Sequence, residues 1–236
     1  MFKLLATSSL PFLCFAVTAC AGQQGTQPGD MSQQAHDATA AQHEQEAASH
    51  SDQYKPEAKT AMVDCNQYLG SCWPSNPTEE HKKQAEEHRE IAQAHRAASR
   101  ALVNAEAKAC QGVSESDRDI SPFFHREGVA AVRPLTINNI GGGFQPDQEE
   151  QAGATIVLLP APGVTAERLE RVVQCHIARN TALGNDQREM PECPLMLKGV
   201  SADVTSTGNG FAVNITAPDR QTRDEILRRA QALSSR

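Results

Sequence analysis

Six of the eight histidines fall in two triplets of identical spacing: His36, His43, His50 and His81, His88, His95. Residues seven apart on an α-helix differ by only about 20° in azimuth but stand ~10 Å apart along the axis. A metal–imidazole bond is about 2.1 Å long, so one ion cannot join two histidines of one triplet. It could join one histidine from each of two helices lying side by side. That arrangement would stack two-histidine sites suited to Cu(II), Zn(II) or Ni(II). The second triplet also has a plainer reading. Its column continues through Leu102 and Ala109, with Ala85, Ile91, Ala92, Ala98 and Ala105 beside it, the pattern of a packing seam. On that seam packing or a solvated helix is read first, metal second and a pH switch third; the first triplet, in a segment expected to be disordered, weakens the paired-helix geometry further.

Other constellations are weaker. Glu115, Asp117 and Asp119 alternate ahead of His125 and Glu127, but a calcium loop begun at Glu115 would have Ile120 for its glycine and Arg126 for its final glutamate. These acids are expected to cap a turn and pair with Arg118 and Arg126. On a helix Cys175 and His176 point ~100° apart, so they cannot hydrogen-bond, and His176 is expected to be a core histidine. A mixed site of Cys110, His125 and His176 would require the long helix to dock beside the C-terminal domain. The chain has no G-x-S-x-G, H-E-x-x-H or C-x-x-C, and no Lys-Ser/Thr follows Gly141-Gly142-Gly143. No enzymatic activity is expected; a Cys110/His125 hydrolase or redox enzyme ranks third.

The N-terminus carries an address. Met1-Phe2-Lys3 is a short positive start, and the apolar run Leu4 to Val17 falls short of the ~20 residues that span a bilayer. It leads into Val17-Thr18-Ala19-Cys20, the small-residue exit of a secretory signal. With Cys20 directly after the small residues, this segment resembles the lipobox of bacterial lipoproteins. The resemblance implies cleavage before Cys20, lipidation of its sulfur, and a membrane anchor. With Ala21 next instead of aspartate, it implies the outer membrane, facing the periplasm. An oxidising compartment suits the remaining cysteines. Cys65 and Cys72 are close enough to staple a small loop, and Cys175 and Cys193 could tie a helix to the segment after it. Cys110 is then left over, with its pairing to Cys175 or Cys193 an open alternative.

The positioning elements follow from composition. Residues 20–60 are Gln, Ala, Gly, Ser, His and Glu with few large apolar side chains, and read as a lipidated cysteine followed by a disordered tether. Residues 61–112 read as the Cys-bracketed loop and a long Ala-rich helix, capped by Asn76 with Pro77 at its first position and ended by Gly112. Residues 113–236 read as an α+β domain. It contains a strand from Val129 to Ile137, a loop from Asn138 to Gly153 and a strand from Ala154 to Leu159. A helix capped by Thr165 runs to Ala182. A hairpin of Val200–Ser206 and Phe211–Ala217 turns at Gly208-Asn209-Gly210, and a last helix runs from Asp219 to Leu233 with Thr222 and Glu225 resembling a capping box.

The expected fold is therefore a long N-terminal helix followed by a small, mostly antiparallel sheet in ββαββα order, with helices on one face. A formal charge of −7 with scattered arginines argues against nucleic acid. The leading expectation is a non-enzymatic envelope lipoprotein that presents a surface to an envelope protein partner and needs no cofactor. The alternative is a lipoprotein that buffers copper or zinc through the six histidines.

Overall fold

The computed structural model describes residues 25–59, 63–66, 71–139, 148–186, 188 and 190–234, with 63–66, 71–74, 138, 139, 148 and 149 as backbone alone. Residues 1–19 and Cys20 lie outside them.

The first finding corrects the tether. Gln33–Gln53 forms a helix, α1, of 21 residues. Ser32 caps it, accepting a hydrogen bond from the Ala35 amide at 3.1 Å. Composition misleads here because α1 needs little apolar surface. Alanine, glutamine and glutamate favour helix intrinsically, and the side chains that α1 buries are His36, Ala40 and Ala47. Small residues let it lie close against the long helix, α2 (Glu79–Ala109, 31 residues).

The link between the two helices contains two short antiparallel strands, β1 (Val63–Asn66) and β2 (Ser71–Pro74), where a plain loop was expected. Their register puts Cys65 opposite Cys72; the sulfur atoms of that expected staple lie outside the described side chains. Helix α2 begins later than expected. Thr78 holds the cap position without a side-chain cap bond, while Asn76 Oδ1 accepts from the Thr78 amide at 2.8 Å.

After a single helical turn, α3 (Glu115–Arg118), the chain is α+β. Strands β3 (Val129–Asn139), β4 (Gln148–Leu158), β5 (Ser201–Thr207) and β6 (Gly210–Thr216) form one antiparallel sheet in the order β3-β4-β6-β5. Strand β4 starts inside the segment read as a loop, because Gln148 to Gln151 pair with β3 despite their polarity. Gly153 then serves a close approach: its φ is +153°, and a Cβ there would run into the Ile215 carbonyl. In the β5–β6 hairpin Thr207 faces Gly210, so Gly208-Asn209 is the two-residue turn, and Ala202 and Val204 face Ile215 and Val213.

Helices α4 (Ala166–Ala182) and α5 (Arg220–Ser234) cover this sheet. Thr165 caps α4, accepting from Arg168. Helix α5 is capped by Asp219, whose Oδ1 accepts from the Thr222 amide at 2.8 Å. Glu225 is drawn to Arg228 and Arg229 instead of closing a capping box. One core unites Ala154 and Ile156 of β4, Val213 and Ile215 of β6, Leu169 and Val173 of α4, and Ile226, Ala230 and Leu233 of α5.

The cysteine pairing also differs from the first expectation. A disulfide joins Cys110 to Cys175, and Cys193 is a buried free thiol. The helical geometry of α4 decides this. Cys175 faces the end of α2, whereas His176, one residue on, faces the core and meets Cys193 Sγ at 3.6 Å. The bond anchors the C-terminal end of α2 to the sheet domain, and Arg179 reinforces it through Glu106 at 3.0 Å.

Candidate metal centre

Helices α1 and α2 run antiparallel, so their heptads meet in reverse order. His36 faces His95, His43 faces His88, and His50 faces His81, with Nδ1–Nδ1 separations of 2.9, 2.9 and 3.2 Å. Between these layers sit buried alanines, Ala40 and Ala47 on α1 and Ala85 and Ala92 on α2. The small layers bring the backbones together; the histidine layers bridge the gap. The imidazoles also stack between layers, His43 on His95 at 6.3 Å and His50 on His88 at 5.5 Å between ring centroids. All six form one continuous ladder. It is buried at the His36–His95 end and half-buried towards His50 and His81.

Arg96 fastens the two helices beside the ladder. Its guanidinium donates to both carboxylate oxygens of Glu44, at 3.1 and 3.0 Å, and to Asp37 at 3.3 Å. The hydrogen bond from Arg96 holds the Glu44 carboxyl below the usual range. Burial, then the neighbouring His36 and His43, hold the His95 imidazole below its ordinary value.

The middle rung has a third member. Glu46 Oε2 stands 3.1 Å from the Nδ1 of both His43 and His88. Its other oxygen, Oε1, accepts from Gln42 Nε2 at 3.0 Å. That bond, and the two imidazoles after it, keep the Glu46 carboxyl below its ordinary value. Among the described residues these three are the one group of three or more His, Cys, Asp or Glu side chains whose ligand atoms converge.

While Glu46 is ionised, protons satisfy this triangle only in part. A neutral imidazole carries at most one hydrogen at Nδ1, and a carboxylate only accepts. If both Nδ1 atoms are protonated, two donors face each other at 2.9 Å. If only one is, the other presents a lone pair to the carboxylate at 3.1 Å. A cation about 1 Å above the plane of the three atoms would answer all three lone pairs at once. With bonds near 2.1 Å, the edges fix donor–metal–donor angles close to 90°.

The remaining candidates do not assemble. Cys110 is consumed in its disulfide. His125 is exposed and pairs with Glu127 at 3.1 Å. His176 is buried, and burial first, then the Arg179 charge, pushes its pKa down to about 4. Burial raises the Cys193 thiol in the same core. The acids of the calcium-like run pair elsewhere than expected: Asp117 with Arg168 and Asp119 with Arg179. Arg118 turns to backbone carbonyls of Val113 and Cys110, and Arg126 to Glu192.

The six histidines were visible in the sequence, but Glu46 was not singled out. Its signal is its place three residues after His43, on the same helical face once α1 is a helix. Compared with known families, curated proteins and solved structures, the chain matches none of them.

Proposed function

We propose that this protein binds divalent transition-metal ions, copper or zinc foremost, in the seam between α1 and α2. The carrying observation is the convergence of His43 Nδ1, His88 Nδ1 and Glu46 Oε2, all within 3.1 Å of one another. Imidazole nitrogens with one carboxylate suit borderline cations, and copper stands highest among them in affinity. The His36–His95 and His50–His81 pairs are weaker two-nitrogen sites on either side. In this reading the chain is a lipoprotein, anchored through Cys20 to the outer membrane and facing the periplasm. The helical hairpin is the binding module, and a ββαββα unit with its helices on one face is the platform. It buffers metal and needs no catalytic step.

The test is titration of the mature protein lacking Cys20 and any histidine tag, by calorimetry with Cu(II) and Zn(II). Stoichiometric binding at micromolar or tighter affinity, lost when His43 and His88 are replaced together, supports the reading. Binding no stronger than that of isolated surface histidines overturns it.

One observation favours a second role, docking to an envelope protein. Phe124 is 67% exposed and Ile120 45% exposed in the segment between α3 and β3. Cross-linking that fails on Phe124→Ser but survives the histidine changes would establish it.

A further inference from the structure

We infer that the His43–His88–Glu46 centre, once it holds its ion, also takes a small exogenous anion as a metal ligand. The inference rests on the metal-binding reading and adds what the ion can do there. Three donors with edges of 2.9, 3.1 and 3.1 Å occupy one face of an octahedron. Bonds of about 2.1 Å leave the ion standing ~1 Å above their plane, with the opposite face open.

Among the described residues no further His, Cys, Asp or Glu donor is supplied to that face. Gln42 holds Glu46 Oε1, so the carboxylate offers the ion one oxygen instead of two. The neighbouring rings His95 and His50 have their Nδ1 atoms turned to His36 and His81. The site is also reachable, since the His43, His88 and Glu46 side chains are 21%, 25% and 38% exposed.

Charge selects the visitor. A divalent ion with two neutral imidazoles and one carboxylate keeps a net charge of about +1, which favours an anionic oxygen or nitrogen donor over water. Open positions also let a competing chelator bind before the protein ligands leave, so the ion can be handed on by stepwise ligand exchange. The two-nitrogen rungs lack this fixed facial frame.

Co(II) as probe metal and azide as probe anion test the inference through the visible bands of the ion. The expected result is a saturable spectral change on adding azide to the Co(II)-loaded protein. His88→Ala should weaken Co(II) binding at this centre at least ~10-fold and remove the azide response. Gln42→Ala frees Glu46 to bind through both oxygens, so azide affinity should fall several-fold while Co(II) remains bound. His125→Ala, outside the ladder, should leave both intact; loss of the response there would assign it to adventitious surface binding and overturn the inference. Stoichiometric Co(II) with bands indifferent to azide overturns the open-site inference and leaves the metal-binding reading standing. No uptake of Co(II), Cu(II) or Zn(II) overturns both, whereas failure with Co(II) alone overturns the open-site inference and leaves the metal-binding reading standing.

Discussion

Glu46 and His88 sit on different helices, yet their Oε2 and Nδ1 atoms lie 3.1 Å from each other. The contact unites a carboxylate of α1 with an imidazole of α2. Glu46→Gln keeps the length of the side chain and removes its charge. Cu(II) and Zn(II) affinity at the middle rung should fall at least ~10-fold, measured by chelator competition. An unchanged affinity would remove Glu46 from the centre.

The alanine layers set the spacing of the rungs. Ala40 is completely buried and lies between the His36 and His43 layers. Ala40→Leu should cost about 1–3 kcal/mol by overpacking. It should also weaken metal binding by pushing the helices apart, while the sheet domain keeps its near-ultraviolet signature. Calorimetry on the variant decides whether the close approach is required.

Metal should stabilise α1 selectively. The helix buries little apolar surface, whereas α4 and α5 close the main core. At a free metal concentration 100 times Kd, binding adds about 2.7 kcal/mol. Hydrogen exchange over residues 33–53 should slow when Zn(II) is added and quicken with a chelator, with the strands unaffected. Uniform protection across the chain would contradict this local role.

The Cys110–Cys175 bond closes a loop of 65 residues. Chain entropy then assigns it about 4 kcal/mol. Replacing both cysteines with serine should lower the denaturant midpoint accordingly. The α1–α2 hairpin should keep its metal affinity, because the bond fixes the far end of α2.

His176 predicts a pH dependence. Its pKa is depressed by burial to about 4, below the ordinary 6.5. The fold favours the neutral ring, so this contribution is complete above about pH 6.5 and is lost as pH falls towards 4. The full loss is about 3 kcal/mol. Urea unfolding across this range should show a steeper decline for the wild type than for His176→Gln. Parallel curves would mean that the ring is not held neutral by the core.

Local signals made much of the sheet domain legible. Thr165 marked α4, Gly208-Asn209-Gly210 marked a hairpin turn without fixing its central pair, and the apolar run from Ala154 marked β4, though not its polar start at Gln148. The seven-residue spacing was also readable, as was the facing of histidines that it permits between two side-by-side helices. What hid the site was α1. Its lack of large apolar residues argues for disorder in isolation, whereas its docking depends on small residues and imidazoles that gain meaning only beside α2. The disulfide was hidden for a related reason: nearness in sequence favours Cys175 with Cys193, but on α4 Cys175 faces Cys110 while it is the next residue, His176, that meets Cys193.

The reversed order of the two triplets nests the rungs. His50–His81, His43–His88 and His36–His95 close spans of 31, 45 and 59 residues. The first closure bears most of the loop entropy, and each later one adds only a logarithmic increment. The hairpin should therefore zip from its linker outward, with one occupied rung raising the effective concentration of the next. Loading should be cooperative, so the protein would respond to rising metal more as a threshold than as a proportional sponge.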